Sequence, residues 1–300
     1  MKFSVFTAST PQWTPAEAAA ALAAQGWDGI EWRITNQQDA PEPGFWAGNR
    51  ATWPLTGLED HLSEIARITN EAGLEFSGIG GYTSVHDREN TERMLAATAE
   101  LGAPRVRVTM PALGTGNYRD LFSRARRDLE WVAERAAGHG VQAVIELHHR
   151  TIVSSASAAY RLVDGLDPEH VGVIHDSGNL VIEGHEDYLA GFQLLGEYLA
   201  HVHVKSVAWH PTEQRREDGS LVWRESWEQL RDGQVDVGAY FAALVEVGYD
   251  AWVTLEDFST IEPLDERTAG NLAFVRAAHE RAVRAASGER GDEDEHVIDF

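Results

Sequence analysis

Short runs of apolar and β-branched residues alternate along this chain with longer stretches of helical period. The first run, residues 3–7, reads as a strand. An Ala-rich helix follows: Thr14 suits the N-cap, Pro15 the first helical position and Glu17 the reciprocal capping contact, and Gly26 stops it. The pattern then predicts strands over residues 29–34, 74–80, 105–109, 141–146, 171–176, 201–205 and 252–256. Between and after them it predicts helices over 58–72, 88–101, 119–137, 154–166, 186–198, 237–247 and 268–286. Strands that alternate with helices form parallel sheets. Eight such units predict an α/β chain folded as a single-domain (β/α)8 TIM barrel over residues 1–286, with a short acidic C-terminal tail at 287–300.

Two connections exceed the usual length. Residues 35–57 follow the second strand and contain Phe45, Trp46 and Trp53. Residues 206–236 follow the seventh; Asp218 and Gly219 give them a hairpin turn signal, flanked by Trp209, Trp223 and Trp227. Both segments are expected to cover the C-terminal mouth of the barrel, where this architecture places its chemistry.

Charged residues stand where a buried strand should have none. Glu146, Asp176, His203 and Glu256 close the fifth to eighth strands. Acidic and imidazole groups at successive strand ends point to one shared site, read here as the ligands of one divalent metal ion. Side chains alternate along a strand, so Glu146 and His148 share a face, roughly 6–7 Å apart. So do Glu31 and Arg33, and His201, His203 and Lys205. Both faces of an all-parallel sheet are covered, so these groups mark a polar interior. His148 is the candidate base, with Glu146, Glu256 and Lys205 as further candidate catalytic groups. Glu31, Arg107, Asn179, His201 and Trp46 are candidate substrate contacts, and a buried Lys205–Glu31 ion pair is the plain structural alternative. His175 points opposite Asp176 and is expected in the core.

The net charge of −23 disfavours nucleic acid, which is bound by neutralising phosphates with Lys and Arg. The chain has no cysteine, so a metal must be held by oxygen and nitrogen. No apolar leader or membrane-length run stands out, and a soluble cytoplasmic protein is the default expectation.

The residues around these strand ends carry a resemblance. Glu146 to His148, residues 171–179, residues 201–205 and residues 248–257 are similar to the matching segments of xylose isomerase-like barrels, the sugar phosphate isomerase/epimerase family, and residues 233–236 resemble its segment before the seventh helix. The resemblance covers residues 1–285. It implies one divalent ion on Glu146, Asp176, His203 and Glu256, with Mn²⁺ preferred and Mg²⁺ or Co²⁺ as alternatives. It further implies an enzyme, an isomerase, epimerase or lyase, that abstracts a proton beside a sugar carbonyl. The family's ketose epimerases usually have a His where Asn179 stands and an Arg near Trp209 and His210, so this chain departs from simple ketose epimerisation. One subset with this look, the α subunits of C-glycoside deglycosidases, uses the same proton abstraction for β-elimination from a 3-keto-C-glycoside. The implied partners are therefore a sugar or glycoside, further copies of the chain and, in that subset, a small β subunit. An abasic-site endonuclease on the same barrel needs more His ligands and a basic face. A non-catalytic barrel would not need four ligand positions.

Overall fold

A computed structural model describes residues 1–288, so the expected tail lies almost wholly outside the described residues. Eight parallel strands close into a barrel: β1 (Lys2–Phe6), β2 (Gly29–Ile34), β3 (Glu75–Gly81), β4 (Arg105–Arg107), β5 (Gln142–Glu146), β6 (Val171–Asp176), β7 (Leu199–Val204) and β10 (Trp252–Leu255). β1 pairs with both β2 and β10, which completes the ring. Around it stand α1 (Pro15–Gln25), α2 (Leu58–Glu71), α3 (Arg88–Glu100), α4 (Tyr118–His139), α5 (Ala156–Val163), α6 (Ser177–Glu183), α7 (Tyr188–Leu195), α8 (Val237–Glu246) and α9 (Leu264–Ala286). The apolar core fills the layer between strands and helices, with Trp32, Tyr240, Phe192 and Phe241 among its largest fully buried side chains. No helix among the described residues is long and apolar enough to cross a membrane.

The local signals act as their chemistry requires. Thr14 and Glu17 form the capping box of α1, and Gly26 takes the left-handed C-cap at φ 86°. Asp218 and Gly219 turn the antiparallel hairpin of β8 (Ser206–Arg215) and β9 (Leu221–Glu228), which stands outside the barrel sheet.

Most boundaries move by one to three residues, and three differences from the sequence reading are larger. The helix expected over 186–198 is only α7, followed by a 3-10 turn (Gly196–Tyr198), because Gly196 leaves the helical region at φ 53°. A short helix, α6, begins directly after Asp176, where the sequence reading places no helix until residue 186. The Asp176 carboxylate caps it, accepting from Asn179 N–H at 2.9 Å. The last helix begins at Leu264, immediately after Pro263, four residues before its expected start.

The barrel interior is polar at two levels. At the lower level Ser4, Thr254 and His201 form a hydrogen-bonded string. At the upper level lie His203, Glu146, Asp176 and Glu256, with Phe6 stacked on the His203 ring at a centroid distance of 5.9 Å. Long side chains can cross the interior only where the opposite wall is bare. β3 supplies that wall: a Cβ on Gly80 would lie 2.0 Å from the Phe6 ring, and one on Gly78 3.1 Å from the Arg105 stem. His175 faces outward, as expected, against Phe192 and Tyr240; burial pushes its pKa down to about 3.

Gly80→Ala should therefore overpack the interior and lower stability by about 1–3 kcal/mol. Urea denaturation measures it, and an unchanged midpoint would show that Phe6 is free to move aside.

Candidate metal centre

Four strand ends converge. From His203 Nδ1 the distances are 3.3 Å to Glu256 Oε1, 3.7 Å to Glu146 Oε1 and 4.0 Å to Asp176 Oδ2. The four donor atoms all lie within 4.8 Å of one another, and all four residues are buried. His203 Nδ1 is buried and makes no hydrogen bond, while Nε2 lies 3.1 Å from Glu31 Oε2. A carboxylate can only accept, so with Glu31 ionised Nε2 carries a hydrogen, and Nδ1, once it gives up its own proton, would turn a lone pair toward the carboxylates. A carboxylate behind an imidazole is the arrangement that fixes the ring of a metal-binding histidine. Three carboxylates and one imidazole without thiolate form a set for an oxygen-preferring divalent ion. The residues fit such an ion.

The electrostatics agree. Glu31, Glu146, Asp176 and Glu256 bring four carboxylates into the barrel, and of the buried cations Arg107 and Lys205 pair with them directly. Arg107 Nη1 donates to Glu146 Oε2 at 2.6 Å, and its Nε donates to Gly81 O at 3.0 Å. Lys205 Nζ lies 2.6 Å from Asp176 Oδ2 and 2.7 Å from Glu256 Oε2. Burial would lower the lysine pKa, but the carboxylates of Asp176, Glu256 and Glu146 raise it, so the ammonium persists. Burial would raise Glu146 and Glu256. The Arg107 charge holds Glu146 well below its usual range, and Lys205 and His203 hold Glu256 at about 2. The surplus falls on two groups. Asp176 is raised to about 8 by burial and by its like-charged neighbours, despite Lys205. His203 is raised well above its ordinary value by Glu31 and Glu256, despite burial. In the metal-free protein protons thus supply the positive charge that a divalent ion would bring.

Above the ligands opens a cavity of about 260 Å³. Glu146, Glu256, Lys205, Arg107, His148, Tyr82 and Trp46 line it. His148 Nδ1 lies 2.9 Å from the His149 carbonyl oxygen, which only accepts, so the neutral ring keeps its lone pair on Nε2. Both long connections reach this mouth. Phe45 and Trp46 pack on Phe258 just beyond β10, and Trp227 of β9 packs on the same ring at 5.4 Å.

Of the expected substrate contacts, Trp46 and Arg107 lie on the cavity wall; Glu31, His201 and Asn179 do not. Glu31 sits against the two imidazoles, 2.9 Å from His201 Nε2, and pairs with no lysine. Burial would raise its pKa, but the His203 charge and both hydrogen bonds take it far down. His201 is a buried ring whose pKa burial lowers to about 4. The Asn179 amide donates to Glu146 Oε1 at 3.2 Å and Leu147 O at 3.0 Å, and its oxygen lies 2.6 Å from His149 Nδ1. Tyr82 and His149 carried no signal in the sequence: Tyr82 follows two glycines past the expected end of its strand, and His149 lies beyond β5.

A parallel eight-stranded barrel with such a cluster at its C-terminal strand ends defines the class: a TIM barrel with a candidate divalent-metal centre. The chain belongs to the xylose isomerase-like TIM barrel family, which it matches over residues 19–278. It is 30% identical over 141 residues to the inosose dehydratase of Lacticaseibacillus casei, 46% of this chain and 47% of that protein. The chain thus aligns with about half the length of the curated relatives it matches. Its fold superposes on 3-keto-D-glucoside 4-epimerase from E. coli with a TM-score of 0.69 at 18% identity, covering 92% of this chain and 99% of that one. An L-ribulose 3-epimerase gives a TM-score of 0.69 at 18% identity, covering 98% and 99%. These two likenesses speak for the fold.

Glu146→Ala and Asp176→Ala should each abolish stoichiometric binding of Mn²⁺, and Glu31→Gln should weaken it about 10- to 100-fold by freeing the His203 ring. Because His203 and Asp176 hold protons that an ion must displace, affinity should rise with pH up through about 8. Calorimetry in buffers of different ionisation enthalpy reads the released protons directly; identical heats in all buffers would refute the displacement.

Proposed function

We propose that the protein is a divalent-metal-dependent enzyme that removes the proton from the carbon beside a carbonyl of a sugar or sugar-like cyclic polyol. The observation that carries this reading is the single cavity shared by the ligand carboxylates Glu146 and Glu256, the imidazole His148 and the ammonium Lys205. Glu146, Asp176, His203 and Glu256 would hold the ion, Mn²⁺ by preference with Mg²⁺ or Co²⁺ as alternatives. Bound there, it would supply electrophilic stabilisation of negative charge on the substrate oxygen. His148 is the base: the His149 carbonyl fixes its tautomer, and Nε2 accepts the carbon-bound proton. Lys205, fixed by Asp176 and Glu256, is the acid that returns a proton to carbon or to a departing oxygen. Arg107 holds Glu146 in place, and Trp46 and Tyr82 present apolar faces to the ring of the substrate.

Return of the proton to carbon gives epimerisation or isomerisation. Loss of a group from the carbon beyond gives elimination: the C–H pair forms the new double bond, the bond to the leaving group breaks, and Lys205 protonates that group. Similarity to dehydratases supports loss of water. A second reading rests on the aromatic mouth of Trp46, Trp227 and Phe258, which suits a flat leaving group such as the aglycone of a 3-keto-C-glycoside. That reading brings a small second subunit with it, and association with other chains is part of it. The chain would work without nucleic acid or a membrane, in the cytoplasm.

The Mn²⁺-loaded protein incubated in D₂O with an inosose or a 3-keto-glucoside should exchange the proton beside the carbonyl, followed by NMR. His148→Ala should keep its metal and lose about 10²–10⁴-fold in exchange. Product without solvent deuterium at that carbon would sink proton abstraction; normal exchange by His148→Ala would move the base to Glu146 or Glu256.

A further inference from the structure

Arg33 is a buried cation that the chemistry above does not use. It is 4% exposed and lies on the inner face of β2, one pleat nearer the mouth than Glu31. Of the other buried arginines, Arg107 pairs with Glu146, and Arg267 donates to the carbonyls of Ser9 and Ser259, leaves its own Nε without a partner and has the carboxylates of Asp257 and Glu262 nearby. Among the described residues Arg33 finds only neutral partners. Its Nη1 donates to Gln37 Oε1 at 3.1 Å and Thr52 Oγ1 at 2.9 Å, and its Nε is buried with no partner. Gln37 is itself fixed from both sides by Asn49, through Nε2 to Asn49 O at 2.7 Å and Oε1 from Asn49 N at 3.2 Å. The long connection after β2 thus holds the guanidinium rigidly and leaves its charge unneutralised. Its carbon lies 5.1 Å from the Tyr82 ring and 5.8 Å from the Trp46 ring, the two aromatic rings of the cavity wall.

Burying a cation without a counter-charge is unfavourable, and a fold tolerates it where a ligand completes the pair. A planar guanidinium whose Nε and Nη2 make no hydrogen bond among the described residues matches a carboxylate. In a chain of net charge −23, with three ligand carboxylates in the same interior, an anion needs such a dedicated anchor. We propose that Arg33 is the specificity determinant for a carboxylate on the substrate, which makes the substrate class a keto-sugar acid or keto-cyclitol acid. This rests on the reading that the cavity takes a sugar-like ketone. One cation flanked by two rings fits a monoanion rather than a phosphate dianion.

The test is equilibrium binding to the full chain loaded with Mn²⁺, using D-glucuronate and its isosteric neutral amide, D-glucuronamide. Calorimetry should show the acid binding about 10- to 100-fold more tightly than the amide. Arg33→Gln should erase that preference and Arg33→Lys should restore part of it. Equal affinities in the wild type, or no binding of the acid at millimolar concentration, would overturn the proposal without any variant. A preference that persists in Arg33→Gln places the carboxylate elsewhere, on the metal for instance, and overturns it too. So does an Arg33-dependent preference for glucose 6-phosphate over glucuronate. Deuterium exchange is read separately: exchange without acid preference removes only the carboxylate subsite, and acid preference without exchange removes only the proton-abstraction reading.

Discussion

Too much negative charge in too little space is the constraint on which the interior of this barrel depends. Glu31, Glu146, Asp176 and Glu256 are buried together, and carboxylates so placed cannot all ionise unless positive charge lies among them. The chain answers with cations tied to particular partners. Arg107 serves Glu146, Lys205 serves Asp176 and Glu256, and the His203 imidazole stands between Glu31 and the rest. The two groups left to hold protons, Asp176 and His203, are also the two that would give them up to an ion. Binding, protonation and the orientation of the His203 ring are thus one equilibrium viewed from three sides.

The packing follows from the same constraint. Long charged side chains that cross a barrel need emptiness opposite them, and small residues supply it. Gly178, in the first turn of α6, would put a Cβ 2.4 Å from the Lys205 stem. The helix that Asp176 caps therefore needs glycine at 178, because a larger residue there would push the Lys205 stem, and with it the ammonium, away from Asp176 and Glu256. The glycines of β3 do the same for Phe6 and Arg105.

Much of this was legible in the sequence, for identifiable reasons. The barrel follows from eight repeats of strand and helix signals, and the convergence of Glu146, Asp176, His203 and Glu256 from polar residues that end strands otherwise apolar. Side-chain alternation along β2 and β7 placed Glu31 with Arg33, and His201 with His203. What alternation cannot give is depth and partner. Glu31 and His201 face inward as read, yet they close on each other and on His203 below the cavity. Lys205 found Asp176 and Glu256 instead of Glu31, because β7 lies between β6 and β10 in the ring and its own His201 and His203 take Glu31. The short helix α6 was hidden because its cap, Asp176, is also a candidate ligand, so one residue carries both signals.

The position of Asn179 shows how the site divides its labour. An imidazole there could take a proton itself; an amide cannot. Asn179 instead ties Glu146 to His149, and His149 stacks on His148 with ring centroids 4.4 Å apart. Burial lowers the His149 pKa, and its Nδ1 is spent on Asn179, so it serves as a neutral support. The imidazole that remains on the cavity wall is His148, held by the His149 carbonyl from behind and by the His149 ring along its face. In the proposed chemistry, an amide on the β6 side would leave proton transfer to the β5 side. There the proposed base, His148, stands two residues beyond Glu146, so a single strand would set the geometry between the proton acceptor and the candidate ligand cluster.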